Sequence, residues 1–243
     1  MATAIILAGG LGTRLRTVIS DVPKPMAPIN GKPFLEFLLE FWINQGITRF
    51  ILSIGYKHEA ITDYFGNEFK GVPLDYALET SPLGTGGGLL LAADQLNKEQ
   101  AFLLLNGDTY FAVELNQLID FSQKNNADWC FSLFRTHDKE RYLSMDILPQ
   151  GQIISFNAKS SQQNYLANGG VYWVQKKALP GLSTPMNHKL SLEQDIFPKA
   201  FLAKQRLYGI EFSAPFIDIG IPNDYYRSAD VIIDKYYTDT EIC

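Results

Sequence analysis

Cysteine and histidine are both scarce in this chain. The two cysteines, Cys130 inside an apolar run and Cys243 at the last position, give no disulfide framework and no zinc-type spacing. A reducing compartment fits that usage. The three histidines, His58, His137 and His188, fall in no motif and share no metal-ligand spacing. No apolar run approaches the ~20 residues a membrane-spanning helix needs. The apolar start Ala4 to Ala8 is too short for the core of a signal peptide, so a cytoplasmic protein with no membrane contact is expected. Positive charge is also in short supply. With 21 Lys and Arg against 26 Asp and Glu the formal net charge is −5, which argues against a nucleic-acid surface and assigns the few cations to a small anionic ligand. There is no internal repeat, no low-complexity tract and no linker, and no six-residue repeat of a β-helical extension near the C-terminus. The oligomeric state is not legible, and a homo-oligomer is compatible with everything here.

What is present is apolar side chain in periodic order. A hydrophobic content of 46% over 243 residues is ample for one large core. Ile5 to Ala8 and Ala101 to Leu105 are short continuous apolar runs, the form of strands buried on both faces of a parallel sheet. Between them lie a helix over residues 34–45, with Pro33 at its start and Gly46 at its end, and a strand over 50–54. A helix near 58–65, a strand over 74–78 and a helix over 89–96 follow. This βαβα rhythm predicts a doubly wound sheet. After Asp128 strand patterns follow one another: 142–148 and 152–156 flank the turn Pro149-Gln150-Gly151, and 169–174 is a further strand. A helix is expected from Ser191, capped by its hydroxyl with Gln194 reciprocating, and the last helix from Pro222. One domain, 1–243, is expected, with a nucleotide half at 1–127 and an acceptor half at 128–243.

The stretch from Ile5 to Pro28 joins an apolar strand to a cluster of glycines and two spaced cations. Glycines after a strand present bare N–H groups, and such a concavity binds anions, with Arg14 and Lys24 adding full charges. The pattern has no Gly-x4-Gly-Lys-Ser/Thr, and it lacks the third glycine of a dinucleotide fingerprint. Asn106-Gly107-Asp108 follows a strand directly and places a carboxylate at the edge where open α/β sheets bind ligands. It also reads as an ordinary turn. Asp218, flanked by Ile217 and Ile219, is costly to bury unless paired or bound to a cation, and otherwise reads as a loop acid. Two acids, two cations and a phosphate loop fit magnesium-assisted transfer on phosphorus.

Leu7-Ala8-Gly9-Gly10-Leu11-Gly12-Thr13-Arg14-Leu15, followed by Pro23-Lys24-Pro25, resembles the paired signature of the sugar-1-phosphate nucleotidyltransferases. The resemblance implies an α/β fold with a Rossmann-like, mixed, mostly parallel sheet flanked by helices. It implies nucleotidyl transfer from a nucleoside triphosphate to a sugar 1-phosphate with release of pyrophosphate, and Mg2+ held by Asp108 and Asp218. Arg14 and Lys24 are then the catalytic cations, Arg14 on the leaving pyrophosphate and Lys24 between the α-phosphate and the attacking phosphate. Nucleotide contacts fall on Leu7, Ala8, Gly9, Gly10, Gly12, Thr13, Arg14, Glu79, Pro82, Gly84, Thr85 and Gly107. Sugar-phosphate contacts fall on Lys24, Asn106, Lys159, Asn168, Gly169 and Glu193.

Glu79 can only accept hydrogen bonds, and guanine offers the adjacent N–H and NH2 that match it. The consecutive glycines Gly86, Gly87 and Gly88 would let a planar base lie on bare backbone. Pro82-Leu83-Gly84-Thr85 with Glu79 upstream resembles the guanylyltransferase branch. Residues 20–33 and 216–222 are similar to enzymes of that branch acting on D-glycero-α-D-manno-heptose 1-phosphate, with mannose or glucose 1-phosphate as the alternative acceptor. GTP and a sugar 1-phosphate are the implied partners, and the product a nucleotide sugar for surface polysaccharide. The chain departs from the family at Asn157-Ala158, at Leu143 and at Thr17-Val18-Ile19, which bears on the sugar rather than on the phosphates. A metal-dependent glycosyltransferase or a non-catalytic nucleotide-sugar sensor stays open as a reading of another class.

Overall fold

The computed structural model describes residues 2–10, 12, 14–15, 18–19, 21–138, 140–156, 165–181 and 189–238, with side chains up to residue 232. Its strands run in chain order β1 (Ala2–Leu7), β2 (Pro28–Ile29), β3 (Lys32–Pro33), β4 (Ile47–Ile54), β5 (Glu68–Phe69), β6 (Val72–Leu78) and β7 (Ala101–Asn106). They continue as β8 (Thr109–Phe111), β9 (Trp129–Thr136), β10 (Ser144–Ile147), β11 (Ile153–Phe156), β12 (Tyr165–Gln175), β13 (Leu207–Glu211) and β14 (Phe216–Asp218). The α-helices are α1 (Phe34–Asn44), α2 (Glu59–Phe65), α3 (Gly84–Ala93), α4 (Leu115–Lys124), α5 (Phe197–Leu202) and α6 (Pro222–Thr238).

One sheet organises these elements, in the order β11-β10-β12-β7-β1-β4-β6-β5, with β9 joined to β12 and β13 to β9. The centre is parallel, β1 lying between β4 and β7, and β12 then runs antiparallel to β7. The sheet therefore passes without a break from strands before residue 127 to strands after it. Burial on both faces accounts for the continuous apolar runs, because successive side chains point to opposite sides. Ala4, Ile6, Leu103 and Leu105 face α1 with its Phe34, Leu38 and Trp42. Ile5, Phe102 and Leu104 face the other way, toward Leu89 and Ala92 of α3 and Phe197 of α5.

Two expectations are corrected. The helix expected over 89–96 begins five residues earlier and contains Gly86, Gly87 and Gly88. Glycine disfavours helix, but here the backbone of Leu190 substitutes for propensity: its carbonyl accepts from Gly86 N at 2.7 Å and its N–H donates to Leu83 O at 2.8 Å. A Cβ on Gly84, whose φ is +76°, would stand 2.4 Å from the Leu190 carbonyl oxygen, so only glycine allows this approach. The cap at Ser191 accepts from Gln194 N at 3.2 Å as expected. The reciprocal bond is made instead by the Asp195 carboxylate, which accepts from Ser191 N at 2.7 Å. The first turn, Leu192–Ile196, is π-wound, and the wider turn moves the reciprocating position one residue along the chain.

Candidate active site

The register of the central strands brings three loops to one edge. Leu7 pairs with Ser53 of β4 and with Asn106 of β7, so the chain leaves all three strands at the same level. Ala8 N donates to Ser53 O at 2.8 Å and Gly107 N to Leu7 O at 3.0 Å, tying the exits together. Packing at Gly107 is tight, and a Cβ there would lie 2.5 Å from Leu7 O. Two adjoining hollows open at this edge. The smaller, about 180 Å³, is lined by Leu7, Ala8, Gly10, Gly12, Arg14, Lys24, Gly107 and Asp108, together with Pro25 and Gly220. The larger, about 410 Å³, is lined by Gly9, Glu79, Pro82, Gly84, Thr85, Asn106 and Lys189 and shares Leu7, Gly10, Gly12 and Asp108 with the first.

Asp108 and Asp218 meet because β8, which follows Asp108 at once, pairs antiparallel with β14, Thr109 opposite Asp218. Ile219 N donates to Asp108 O at 3.0 Å and fixes the crossing. Lys24 enters from a short helical turn, Lys24–Met26, held between Pro23 and Pro25 and anchored by buried Pro25 and Met26. Its Nζ lies 2.6 Å from Asp108 Oδ2 and 3.5 Å from Asp218 Oδ1. Gly220 completes the corner: its N–H donates to Asp218 Oδ1 at 2.7 Å, and a Cβ there would come within 3.0 Å of Lys24 Nζ.

Electrostatics differentiates the two acids. Surrounding protein pushes the Asp108 carboxyl up, but the charge and hydrogen bond of Lys24 outweigh this and hold it below the ordinary carboxylate range. Burial and the neighbouring Asp108 charge push Asp218 above that range, against the pull of Lys24 and Arg141. The pair fits a hard divalent cation. Both donors are carboxylates, and an ammonium already stands between them as a stand-in charge. Among the described residues no cluster of three or more His, Cys, Asp and Glu could hold a metal, so an ion at Asp108 and Asp218 would complete its shell with substrate oxygens and water.

On the other side of the Gly9 turn, Glu79 is clamped into the wall. Its Oε1 accepts from Ser53 Oγ at 3.0 Å and its Oε2 from Leu83 N at 3.0 Å. Gly9 and Gly88 pack directly on that carboxylate, and a Cβ on either would come within 3.0 Å of Oε1. Gly86 to Gly88 do not offer a bare platform for a base. Leu190 and Ile196 cover Gly86, Leu83 covers Gly87, and Ser53 with Glu79 covers Gly88, since these glycines are spent on helix packing. Pro82, Gly84 and Thr85 do reach the larger hollow. Thr85 Oγ1 accepts from Leu192 N at 2.9 Å.

Asn168 and Glu193 stand together and line neither of the two hollows. Asn168 Nδ2 donates to Tyr172 Oη at 2.7 Å and to Glu193 Oε1 at 3.4 Å, and Gly170 N donates to Asn168 Oδ1 at 3.3 Å. Surrounding protein and the charge of Asp108 raise the Glu193 carboxyl above its usual range. Gly169 is closed in by the Phe111 ring and Ser132 Oγ, leaving only its backbone to present. Thr13 and Lys159 lie outside the described residues. Three residues were missed by sequence reasoning: Lys189 on the wall of the larger hollow, Ser53 behind Glu79, and Arg141 beside Asp218. None sits in a motif, although Lys189 lies four residues before Glu193.

Comparison with known proteins supplies the relatives. The family model for nucleotidyl transferases matches residues 3–235. The D-glycero-alpha-D-manno-heptose 1-phosphate guanylyltransferase of Aneurinibacillus thermoaerophilus is 43% identical over 225 residues, which is 93% of this chain and 96% of that protein. The protein of the same name from Campylobacter jejuni subsp. jejuni serotype O:2 is 41% identical over 224 residues, 92% of this chain and 97% of its own. The crystal structure of HddC from Yersinia pseudotuberculosis complexed with GMP-PN superposes with a TM-score of 0.80 at 37% identity, covering 95% of this chain and 99% of that one.

Proposed function

This chain belongs to the nucleotidyl transferase family, and from that membership we propose that it transfers GMP from GTP to D-glycero-α-D-manno-heptose 1-phosphate, forming GDP-heptose and pyrophosphate. The reading is supported by the relatives of that name, which match over nearly their whole length. The observation that carries it is the meeting of Lys24, Asp108 and Asp218 beside a glycine-lined hollow.

The reaction joins two anions. A phosphate oxygen of the acceptor attacks the α-phosphorus of GTP, the bond from that phosphorus to the β-phosphate oxygen breaks, and pyrophosphate leaves. Bare N–H groups at Gly9, Gly10 and Gly12 receive the triphosphate, Arg14 holds the departing pyrophosphate, and Lys24 swings from the aspartates to bridge the two meeting phosphates. Such work is positioning and charge stabilisation rather than covalent chemistry. Family members generally use a divalent metal. We assign it as Mg2+ on Asp108 and Asp218, where it would neutralise phosphate oxygens and ease attack on phosphorus. Glu79, held by Ser53 and Leu83 with lone pairs to spare, accepts from the guanine edge. Residues 1–127 serve the nucleotide and 128–243 the sugar phosphate, with Asn106, Lys159, Asn168, Gly169 and Glu193 around the sugar. No helix among the described residues is long and apolar enough to cross a membrane, and we place the enzyme in the cytoplasm.

Pyrophosphate release tests the proposal. GTP, CTP, UTP and dTTP are each mixed with the heptose, mannose and glucose 1-phosphates in the presence of Mg2+. GTP with the heptose phosphate is expected to turn over fastest. A preference for a pyrimidine triphosphate sinks the role of Glu79, and no release from any pair sinks the reaction.

A further inference from the structure

Asp218 is held from behind by a second cation. Arg141, with 16% of its side chain exposed, donates from Nη2 to the backbone oxygen of Asp218 at 3.1 Å, and the same nitrogen lies 3.6 Å from Asp218 Oδ2. Its Nη1 pairs with Asp224, which also accepts from Arg227 Nη1 at 3.2 Å. The Tyr142 ring lies 4.9 Å from the guanidinium carbon and packs against Phe216, two residues before Asp218. Charges thus alternate along one line: Asp108, Lys24, Asp218, Arg141, Asp224, Arg227.

Arg141 Nε is buried with no hydrogen-bond partner among the described residues. An arginine so placed is a poor device for stability alone, since a buried ion pair rarely outperforms packed hydrocarbon. Its value lies in what it fixes. Once Lys24 moves to the phosphates, Asp218 keeps a like-charged neighbour and loses its front cation, and an uncompensated carboxylate in that setting is costly. We propose that Arg141 is a positioning residue that keeps Asp218 aimed at the divalent cation both before and after Lys24 moves away, with Asp224 anchoring the guanidinium. The inference rests on the reading of Asp218 as a metal ligand.

The test is direct binding of Mn2+ to the full chain without substrates, followed by loss of the free-ion electron paramagnetic resonance signal. Melting temperature is recorded alongside. Outer partners of metal ligands are typically worth tenfold or more in affinity, so Arg141→Gln should weaken Mn2+ binding about tenfold, and Asp224→Asn about threefold in the same direction. A purely structural arginine would lower the melting temperature and leave Mn2+ affinity alone. Wild-type affinity in folded Arg141→Gln overturns the inference; if that variant does not fold, wild-type affinity in Asp224→Asn does so. Asp218→Asn separates the two levels: should it bind Mn2+ as the wild type does, the metal reading fails first and takes the inference with it.

Discussion

Lys24 Nζ donates to Asp108 Oδ2 at 2.6 Å and reaches Asp218 Oδ1 at 3.5 Å, from a side chain only 9% exposed. One ammonium is thus shared by two carboxylates that stand 110 positions apart in the chain. In the proposed reaction the same ammonium must leave them for the phosphates, so it competes with any cation for their oxygens. Lys24→Ala is therefore expected to act in two directions. Pyrophosphate release should fall by about 10²–10³-fold, while the substrate-free protein binds Mn2+ more tightly than the wild type. Near-normal turnover at saturating substrate removes Lys24 from the mechanism.

Gly9→Ala should alter base choice more than stability. The new Cβ would stand 2.3 Å from Glu79 Oε1, the far end of a side chain that can rotate away from Ser53. Such a change costs on the order of 1 kcal/mol in the fold. Displacing the carboxylate should reduce the kcat/KM preference for GTP over UTP about tenfold, equivalent to ~1.4 kcal/mol. The comparison needs only the two triphosphates and one sugar phosphate.

Gly107→Ala meets backbone instead. Leu7 O at 2.5 Å and Ala8 Cα at 3.2 Å leave the new methyl no room, so the exits of β1 and β7 must separate. We expect a loss of ~1–3 kcal/mol, read from the urea midpoint. An unchanged midpoint would mean that these strand ends separate at no cost.

Asp128 provides the pH dependence. Its carboxylate accepts from Arg206 N at 2.9 Å and pairs with the Arg206 guanidinium at 3.0 Å, fastening the start of β13 to β9. Burial acts to raise its pKa, but the Arg206 hydrogen bonds and the charges of Arg206 and Lys177 prevail and lower it. A carboxyl with a depressed folded pKa contributes stability that is full above its unfolded value of about 3.9 and is lost as pH falls through the folded value. Asp128→Asn should cost about 1 kcal/mol at pH 7, a partly exposed pair being screened. The gap should close once the pH falls below the folded value. A gap that persists in acid would assign the loss to packing.

The parts of the fold legible in the sequence are those whose pattern is local. β1, β4 and β7 appear as apolar runs because both faces of the sheet are covered, and the signature residues lie at their ends. The start of α3 is not legible, because residues 84–88 are helical only through the backbone of Leu190, roughly a hundred residues away. The parallel pairing of β13 with β9 is hidden for a related reason: Leu207 meets Trp129, 78 positions earlier in the chain. Within the candidate site the glycines, Lys24 and the two aspartates could be read from motifs. Arg141 could not, since its partners, Asp218 and Asp224, lie on a distant strand and helix. Ser53 is an ordinary residue of an apolar strand until Glu79 is seen against it.

The clip between residues 83–86 and 190–192 ties the wall of the larger hollow to the segment that carries Glu193. Leu190 holds both ends of that contact through backbone atoms, and Leu192 N donates to Thr85 Oγ1. Under the proposed reaction, donor and acceptor selectivity are for this reason not independent dials. A protein engineer who rewrites 190–193 to admit a different sugar will retune the choice of triphosphate in the same stroke, and screening one substrate at a time would overlook it.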